Sequence, residues 1–208
     1  MPVQVRRLDG PAPYEPVWQA MKSFTEGRDG DTPDEIWLVE HQPVYTLGQA
    51  GKSEHLLNTG AIEVVRSNRG GQVTYHGPGQ VVVYPLVDLR RKGIYVKEYV
   101  ALIEDVVLGT LASYGLDQAC RKPGAPGVYV PLQDGSLAKI AALGVKITRG
   151  CAYHGLALNV DMDLQPFDGI NPCGYEGMAT VDLKTMGVAA TVQDAGTRLL
   201  ERLLQHFS

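Results

Sequence analysis

Apolar positions along the chain switch between a period of two and a period near 3.6, and the switches mark out its elements. In "PYEPVWQAMKSFTEG" the prolines suit a helix start, and Val17, Met21 and Phe24 share one face. "EIWLVEH" and "VYTLG" read as strands split by Pro43, and "AIEVVRSN" as another strand. It leads into a loop, "RGGQVTYHGPGQ", with four glycines in twelve residues. "QVVVYPLVDL" follows with three consecutive valines, as expected of a strand buried on both faces, although Pro85 points to an edge or a bulge. From Val96 to Tyr114 the stripe Val96, Tyr99, Val100, Ile103, Val107 and Leu111 predicts a helix of about five turns, closed by Gly115 as its C-cap.

Beyond that helix, "GVYV", "LAKIAALGVKI" and "CAYHGLALNV" read as strands punctuated by Gly144, Gly150 and Gly155. An irregular segment, "DMDLQPFDGINPCGYEG", precedes a terminal helix with Thr191 as N-cap and Val192, Ala195, Leu199, Leu203 and Phe207 turned inward. The order helix, strands, helix, strands, helix predicts an α+β fold. Its sheet is mixed and largely antiparallel, flanked by helices, in one domain spanning residues 1–208.

Composition narrows the function classes. With 44% hydrophobic and 20% charged residues, the 208-residue chain has the make-up of a globular protein with a sizeable core. No apolar run is long enough for a membrane helix, and "MPVQVRRLDGPAPYEP" lacks the apolar stretch of a secretory signal, so a cytoplasmic location without membrane association is expected. A net charge of −4 argues against a strongly basic nucleic-acid binder. Cys120, Cys151 and Cys173 are odd in number, with no C-x-x-C pair, which argues against a disulfide framework or a zinc site.

The glycine-rich loop lacks the Gly-Lys-Ser/Thr of a phosphate-binding loop and the spacing of a dinucleotide fingerprint. Its glycines remove the Cβ atoms that keep a ligand off the backbone, and "TYH" supplies polar and aromatic groups, so it reads as the wall of an uncharged, elongated ligand. In "INPCGYEG", Pro172 and Gly174 flank Cys173 and leave its sulfur approachable. As a nucleophile that thiol needs a nearby cation or base, and Lys139, His76, His154 and Lys146 are the candidates. Lys139 interrupts an apolar strand: it is either a solvent-facing alternation or a partly buried amine that trades protons. His76 and His154 suit hydrogen bonding or packing better than metal binding, because no H-E-x-x-H pattern accompanies them; His41, His55 and His206 read as structural.

Four segments, "RGGQVTYHGPGQ", "AKIAALGVKI", "RGCAYHGLALNV" and "INPCGYEGM", occur in this order and together resemble the lipoyl(octanoyl) transferases of lipoate biosynthesis, a resemblance that extends over essentially the whole chain. It implies a fold like that of biotin and lipoate protein ligases, with a hydrophobic acyl tunnel. It also implies a reaction in which octanoyl, delivered on the phosphopantetheine of acyl carrier protein, forms a thioester on Cys173. The group then passes to a lysine ε-amine on the lipoyl domains of 2-oxoacid dehydrogenase E2 subunits or on glycine-cleavage H protein. Lys139 is implied as the group that lowers the Cys173 pKa and acts as acid and base. Ligand contacts are implied for Arg69, Gly70, Gly71, Gln72, Val73, Thr74, Tyr75 and His76, for Ala142, Leu143 and Gly144, and for Gly155, Leu156 and Ala157.

Exchange of one thioester for another is close to thermoneutral, so neither ATP nor a metal is expected as cofactor. The rival readings are an ATP-dependent lipoate or biotin ligase, which needs no thiol, and a non-catalytic acyl-binding module. For docking of an acidic carrier protein, Arg6, Arg7, Arg90, Arg91 and Lys92 are the candidate cations.

Overall fold

The computed structural model describes residues 2–174 and 177–208, with the backbone alone at Cys173. Its elements in chain order are β1 (Gln4–Ala12), α1 (Tyr14–Gly27), β2 (Glu35–His41), β3 (Val44–Leu47), β4 (Glu63–Arg66), β5 (Val73–His76), β6 (Gln80–Asp88), α2 (Leu89–Lys92), α3 (Val96–Ala112), β7 (Cys120–Lys122), β8 (Ala125–Pro131), β9 (Leu137–Thr148), β10 (Cys151–Asn159) and α4 (Val192–Phe207). Seven strands form one sheet in the order β1-β2-β6-β10-β9-β8-β7, in which β1 runs parallel to β2 and the remaining neighbours are antiparallel. A smaller sheet, β4-β3-β5, packs its own core of Tyr45, Leu47, Val73, Tyr75, Phe167 and Ile170.

The valine run explains the layering. Val81, Val83 and Val87 of β6 face α3 and α4, meeting Ile103, Val107, Leu199 and Leu203. Val82, Tyr84 and Leu86 point the other way, onto Val17 and Met21 of α1. Strand period two therefore places alternate residues of one strand in two separate cores. The helices begin where their caps allow. Thr191 accepts the Asp194 N–H at the start of α4, the Glu98 carboxylate accepts the Tyr95 N–H at the start of α3, and Gly115 takes a left-handed conformation beyond its end.

Several features depart from the sequence reading, among them the short α2 and β7, which the pattern did not mark. Strand β1 was not expected: its residues are almost all exposed, so no buried alternation marks it. Strand β5 lies inside what reads as a loop, because Val73 and Tyr75 pack inward while Thr74 faces a cavity. Pro85 sits on a central strand rather than an edge, paired with Ile36 on one side. On its other side the ladder to β10 opens, running from Ala152↔Val87 to Leu156↔Val83 with nothing paired between. A missing N–H is tolerated in that gap. Opposite it His154 adopts φ +58°, a left-handed conformation uncommon for a residue with a side chain.

Candidate functional site

Arg69 anchors the glycine loop and is itself buried. Its Nε donates to Thr46 Oγ1 at 2.9 Å, Nη1 to the Gly70 carbonyl at 2.8 Å and Nη2 to the Gln72 carbonyl at 2.8 Å. The planar fork thus gathers the carbonyls of a tight turn in which Gly71 has φ +86°. Gly70 N–H joins the loop to β9 through the Val145 carbonyl.

The loop, β9 and β10 enclose a cavity of ≈ 40 Å³. Arg69, Gly71, Gln72, Val73, Thr74 and His76 line it from the loop and β5, Ala142, Leu143 and Gly144 from β9, and Gly155 and Leu156 from β10. Gly144 and Gly155 face each other across the ladder. A Cβ at Gly155 would overlap the Val83 carbonyl oxygen and lie 2.7 Å from Pro85 Cδ, so only glycine lets β10 approach β6 there. Of the other positions singled out in the sequence, Gly70 lines a neighbouring cavity. Tyr75 packs on Tyr45 and Phe167, and Ala157 lies under α1, both outside the lining of this cavity. Tyr14 and Tyr84 also line it; both are apolar-pattern residues with no local sequence sign of such a role.

Four rings line this cavity, Tyr14, His76, Tyr84 and His154, and His41 packs against them. Tyr14 stacks on His76 at 5.8 Å, His41 and Tyr84 lie 5.9 Å apart, and His154 meets the Tyr84 edge at 6.2 Å. Burial pushes His41 down to about 4, and His76 and His154 to about 3, so all three are neutral at pH 7. Their tautomers follow from the partners. His41 Nδ1–H donates to the Ala12 carbonyl at 3.0 Å, leaving Nε2 to accept the Tyr84 hydroxyl at 2.8 Å. Gln80 Nε2 donates to Asn159 Oδ1, so Gln80 Oε1 accepts His76 Nδ1–H at 2.7 Å. The Trp18 indole N–H fixes Asn68 Oδ1 as an acceptor, which makes His154 Nε2 the donor to it at 2.9 Å.

The second cavity, ≈ 290 Å³, shares Gly71, Gln72, Leu143 and Gly144 with the first and adds Val100, Gly124, Ala125, Pro126 and Val145. Behind its wall lies Lys139, only 4% exposed, so the strand does not turn this amine to solvent. Its Nζ donates to the Pro126 carbonyl at 3.2 Å and lies 5.3 Å from the Tyr129 ring centre. Gly127, at φ +139°, makes room, since a Cβ there would sit 2.6 Å from Lys139 Cε. The Lys139 N–H donates to the Ala179 carbonyl and Val181 N–H to the Lys139 carbonyl, tying residues 179–181 to β9 at Lys139.

Residues Pro172–Gly174 form a 3-10 turn closed by Gly174 N–H on the Asn171 carbonyl. The Cys173 side chain lies outside the described residues. Gly174 faces Gln72 and the His55 ring, whose Nε2 is 3.2 Å from where a Cβ would stand. His55, read from sequence as structural, therefore borders this turn.

Other sequence candidates lie apart from both cavities. Lys146 Nζ donates to Gln49 Oε1 at 3.3 Å. Arg6 pairs with Glu35, Arg91 with Asp34 and Arg90 with Asp88, while Arg7 donates to Thr197 and Lys92 to the Phe207 carbonyl. Burial pushes the Cys151 thiol up, in keeping with a structural cysteine. Among the described residues no group of three His, Cys, Asp or Glu is arranged to hold a metal, and no helix is long and apolar enough to cross a membrane.

Layer order and site placement together define a class, the lipoate and biotin protein ligase fold. A solved lipoate-protein ligase A bound with ATP superposes at a TM-score of 0.76 over 99% of this chain and 85% of its own, at 15% identity. The family model for the lipoyl protein ligase A/B catalytic domain matches residues 13–204. An octanoyltransferase of Bordetella petrii is 67% identical over 201 residues, covering 96% of this chain and 94% of its own; one from an Azoarcus species is 59% identical over 206 residues, covering 99% and 88%. The chain belongs to the octanoyltransferases of the lipoyl protein ligase A/B catalytic domain family, and is an acyltransferase.

Proposed function

We propose that the whole chain acts as one catalytic domain that moves an octanoyl group from the phosphopantetheine thiol of acyl carrier protein to a lysine ε-amine of a lipoyl domain, through a thioester on Cys173. Lipoyl domains of 2-oxoacid dehydrogenase E2 subunits and glycine-cleavage H protein are the acceptors this reading names, in the cytoplasm. The observation that carries it is a pair of cavities lined in common by Gly71, Gln72, Leu143 and Gly144, with a buried amine behind the wall of one and buried rings lining the other. The acyl chain crosses Gly71, Gln72, Leu143 and Gly144. Its distal carbons enter the small ring-lined cavity, and the pantetheine or lysine arm occupies the larger one.

Cys173 thiolate attacks the thioester carbonyl. The carbon–sulfur bond to pantetheine breaks, and the departing thiolate takes a proton from the Lys139 ammonium. That ammonium favours the Cys173 thiolate beforehand by charge. In the second half the lysine amine attacks the acyl-enzyme, the bond to Cys173 breaks, and Lys139 recovers a proton from the amine. Thioester and amine give amide and thiol, with no ATP and no metal in the balance.

Mass spectrometry of the intact protein with octanoyl-acyl carrier protein tests this. One octanoyl group is expected on the wild type and none on Cys173→Ala, and octanoate with ATP should give no adduct. An adduct that survives Cys173→Ala, or that forms from octanoate and ATP, refutes the thioester route.

A further inference from the structure

Helix α3 carries a carboxylate on its buried side. Glu104, 8% exposed, sits one turn beyond Val100 among Ile103, Val107 and Leu111, a place that suits a charge only when it is paired. Both of its oxygens are engaged. Oε2 accepts Arg121 Nε from β7 at 2.7 Å, and Arg121 Nη2 reaches Asp105 at 2.8 Å. Oε1 accepts the Gly127 N–H from β8 at 3.0 Å.

That N–H belongs to the peptide group whose carbonyl, on Pro126, accepts Lys139 Nζ at 3.2 Å. One planar unit therefore holds the Glu104 carboxylate on its N–H and the Lys139 amine on its oxygen. Negative charge on the N–H side makes the carbonyl a stronger acceptor for an ammonium. Two irregularities bring the amine to this peptide. Strands β8 and β9 slip register, so that Val128 faces Ala141 and Tyr129 faces Lys139, with Ile140 left over as the extra residue of a bulge. Bulges re-aim side chains in this way beside active sites. Gly127, in a conformation open to glycine, admits the lysine stem.

We infer that Glu104 is a positioning residue for the transfer reaction: through the Pro126–Gly127 peptide its carboxylate fixes the Lys139 ammonium and favours its charge, without touching substrate. This rests on the proton-carrier role proposed above for Lys139. A neutral acceptor would suffice to tether α3 to β8; the carboxylate adds negative charge that the peptide passes on to the amine. Arg121 and Asp105 face the carboxylate and the Tyr129 ring faces the amine, so Arg121 is the cation that opposes the effect.

The test is single-turnover acylation by octanoyl-acyl carrier protein, followed from neutral to alkaline pH beside thermal unfolding. Glu104→Gln keeps an acceptor for the Gly127 N–H and removes the charge. It should slow acylation about 10-fold, the low end for a lost hydrogen bond to a charged group. It should also move the alkaline limb of the rate, where the ammonium is lost, to lower pH. Placed on Lys139→Met, the same change should cost less than about 2-fold, because no amine remains to be held. Arg121→Met, at a side chain 40% exposed, relieves Glu104 of its cation and should move the limb to higher pH. A wild-type rate and limb in folded Glu104→Gln overturns the inference, as does an equal loss on the Lys139→Met background, the mark of a purely structural tether. Where Glu104→Gln does not fold, an unmoved limb in Arg121→Met overturns it. Wild-type acylation by Lys139→Met counts against the proton-carrier reading itself, whereas slow Lys139→Met beside normal Glu104→Gln removes only the positioning role.

Discussion

At one end of the proposed acyl path an amine is buried against a backbone carbonyl and an aromatic face; at the other, three imidazoles are buried as neutral rings. The difference lies in what each end has to keep. In the proposed mechanism Lys139 carries the proton, and its amine donates to the Pro126 carbonyl. An end wall needs groups that do not change charge, and burial among Tyr14, Tyr84 and Tyr153 achieves this for the histidines. The scaffolds differ too. The far end is built on β5, β6 and β10 at the middle of the fold, while the reactive end joins β9 to the segment after Cys173 by strand-like bonds at Ala179 and Val181.

The contrast breaks most visibly with pH. The unfolded rings bind a proton below their ordinary 6.5, whereas the folded rings do so only near 4 for His41 and near 3 for His76 and His154. Their contribution to stability is therefore complete above pH 6.5 and is lost as pH falls from 6.5 toward 4 and then 3. Each ring can contribute about 1.4 kcal/mol per pH unit inside that window, so three set an upper bound of about 4 kcal/mol per unit. Denaturant unfolding at pH 7, 6 and 5 should show a steep decline, accompanied by proton uptake on unfolding at pH 5. A flat profile between pH 7 and 5 would mean that the rings are not held neutral by the fold.

At the reactive end the corresponding change is Lys139→Met, which keeps an apolar stem in the same slot. Acylation of Cys173 in a single turnover should slow by about 10²–10⁴-fold, the range for a lost acid–base group. Thermal unfolding checks that the loss is chemical: the expected midpoint lies within a few degrees of wild type. Wild-type acylation in the variant would strip Lys139 of its role.

How much of this was legible differs between the two ends for physical reasons. Helices α3 and α4 and strands β2, β9 and β10 announce themselves through period and caps, and the structure places them where the pattern does. Strand β1 stayed hidden because it is held by parallel pairing along β2 while its side chains face solvent. Pro85 suggested an edge or a bulge; the strand is central, and the irregularity is an opening of the ladder opposite His154 that nothing local places there. Within the site, the glycine loop, Ala142–Gly144 and Gly155–Leu156 were recognisable as motifs. Tyr14 and Tyr84 were not, because a helix start and a core strand make them look like packing until the fold sets them around one cavity. His55 is the counterpart at the other end, a histidine whose place beside Gly174 depends on chain returning from more than a hundred residues away.

The glycine opposite Gly144 offers a sharper cut. Gly155→Ala forces a methyl against the Val83 carbonyl and Pro85, where the neighbour is backbone and cannot rotate aside. Overpacking of this kind should cost about 2–3 kcal/mol in chemical unfolding. Gly144→Ala meets the Gly70 carbonyl at 3.0 Å and the flexible Arg69 stem at 3.2 Å, so about 1 kcal/mol is expected there. Equal costs would indicate that β10 and β6 have slack at the gap, and that the ring-lined end is softer than its packing suggests.

The smallest effect belongs to the wide cavity. Val100 projects from α3 into its lining and is only partly buried, so a larger side chain can be accommodated with little cost to the core. Val100→Trp narrows the space assigned to the pantetheine or lysine arm without touching the rings or Lys139. Contacts along an arm are made in ground state and transition state alike, so the expected change is in KM, by about 3- to 10-fold, with kcat nearly kept. Chain-length preference should not move if, as proposed, the distal carbons end in the other cavity, which Tyr84 and His154 line. If Val100→Trp instead shifts preference toward shorter chains, the tail lies in the wide cavity and the two ends have been assigned the wrong way round.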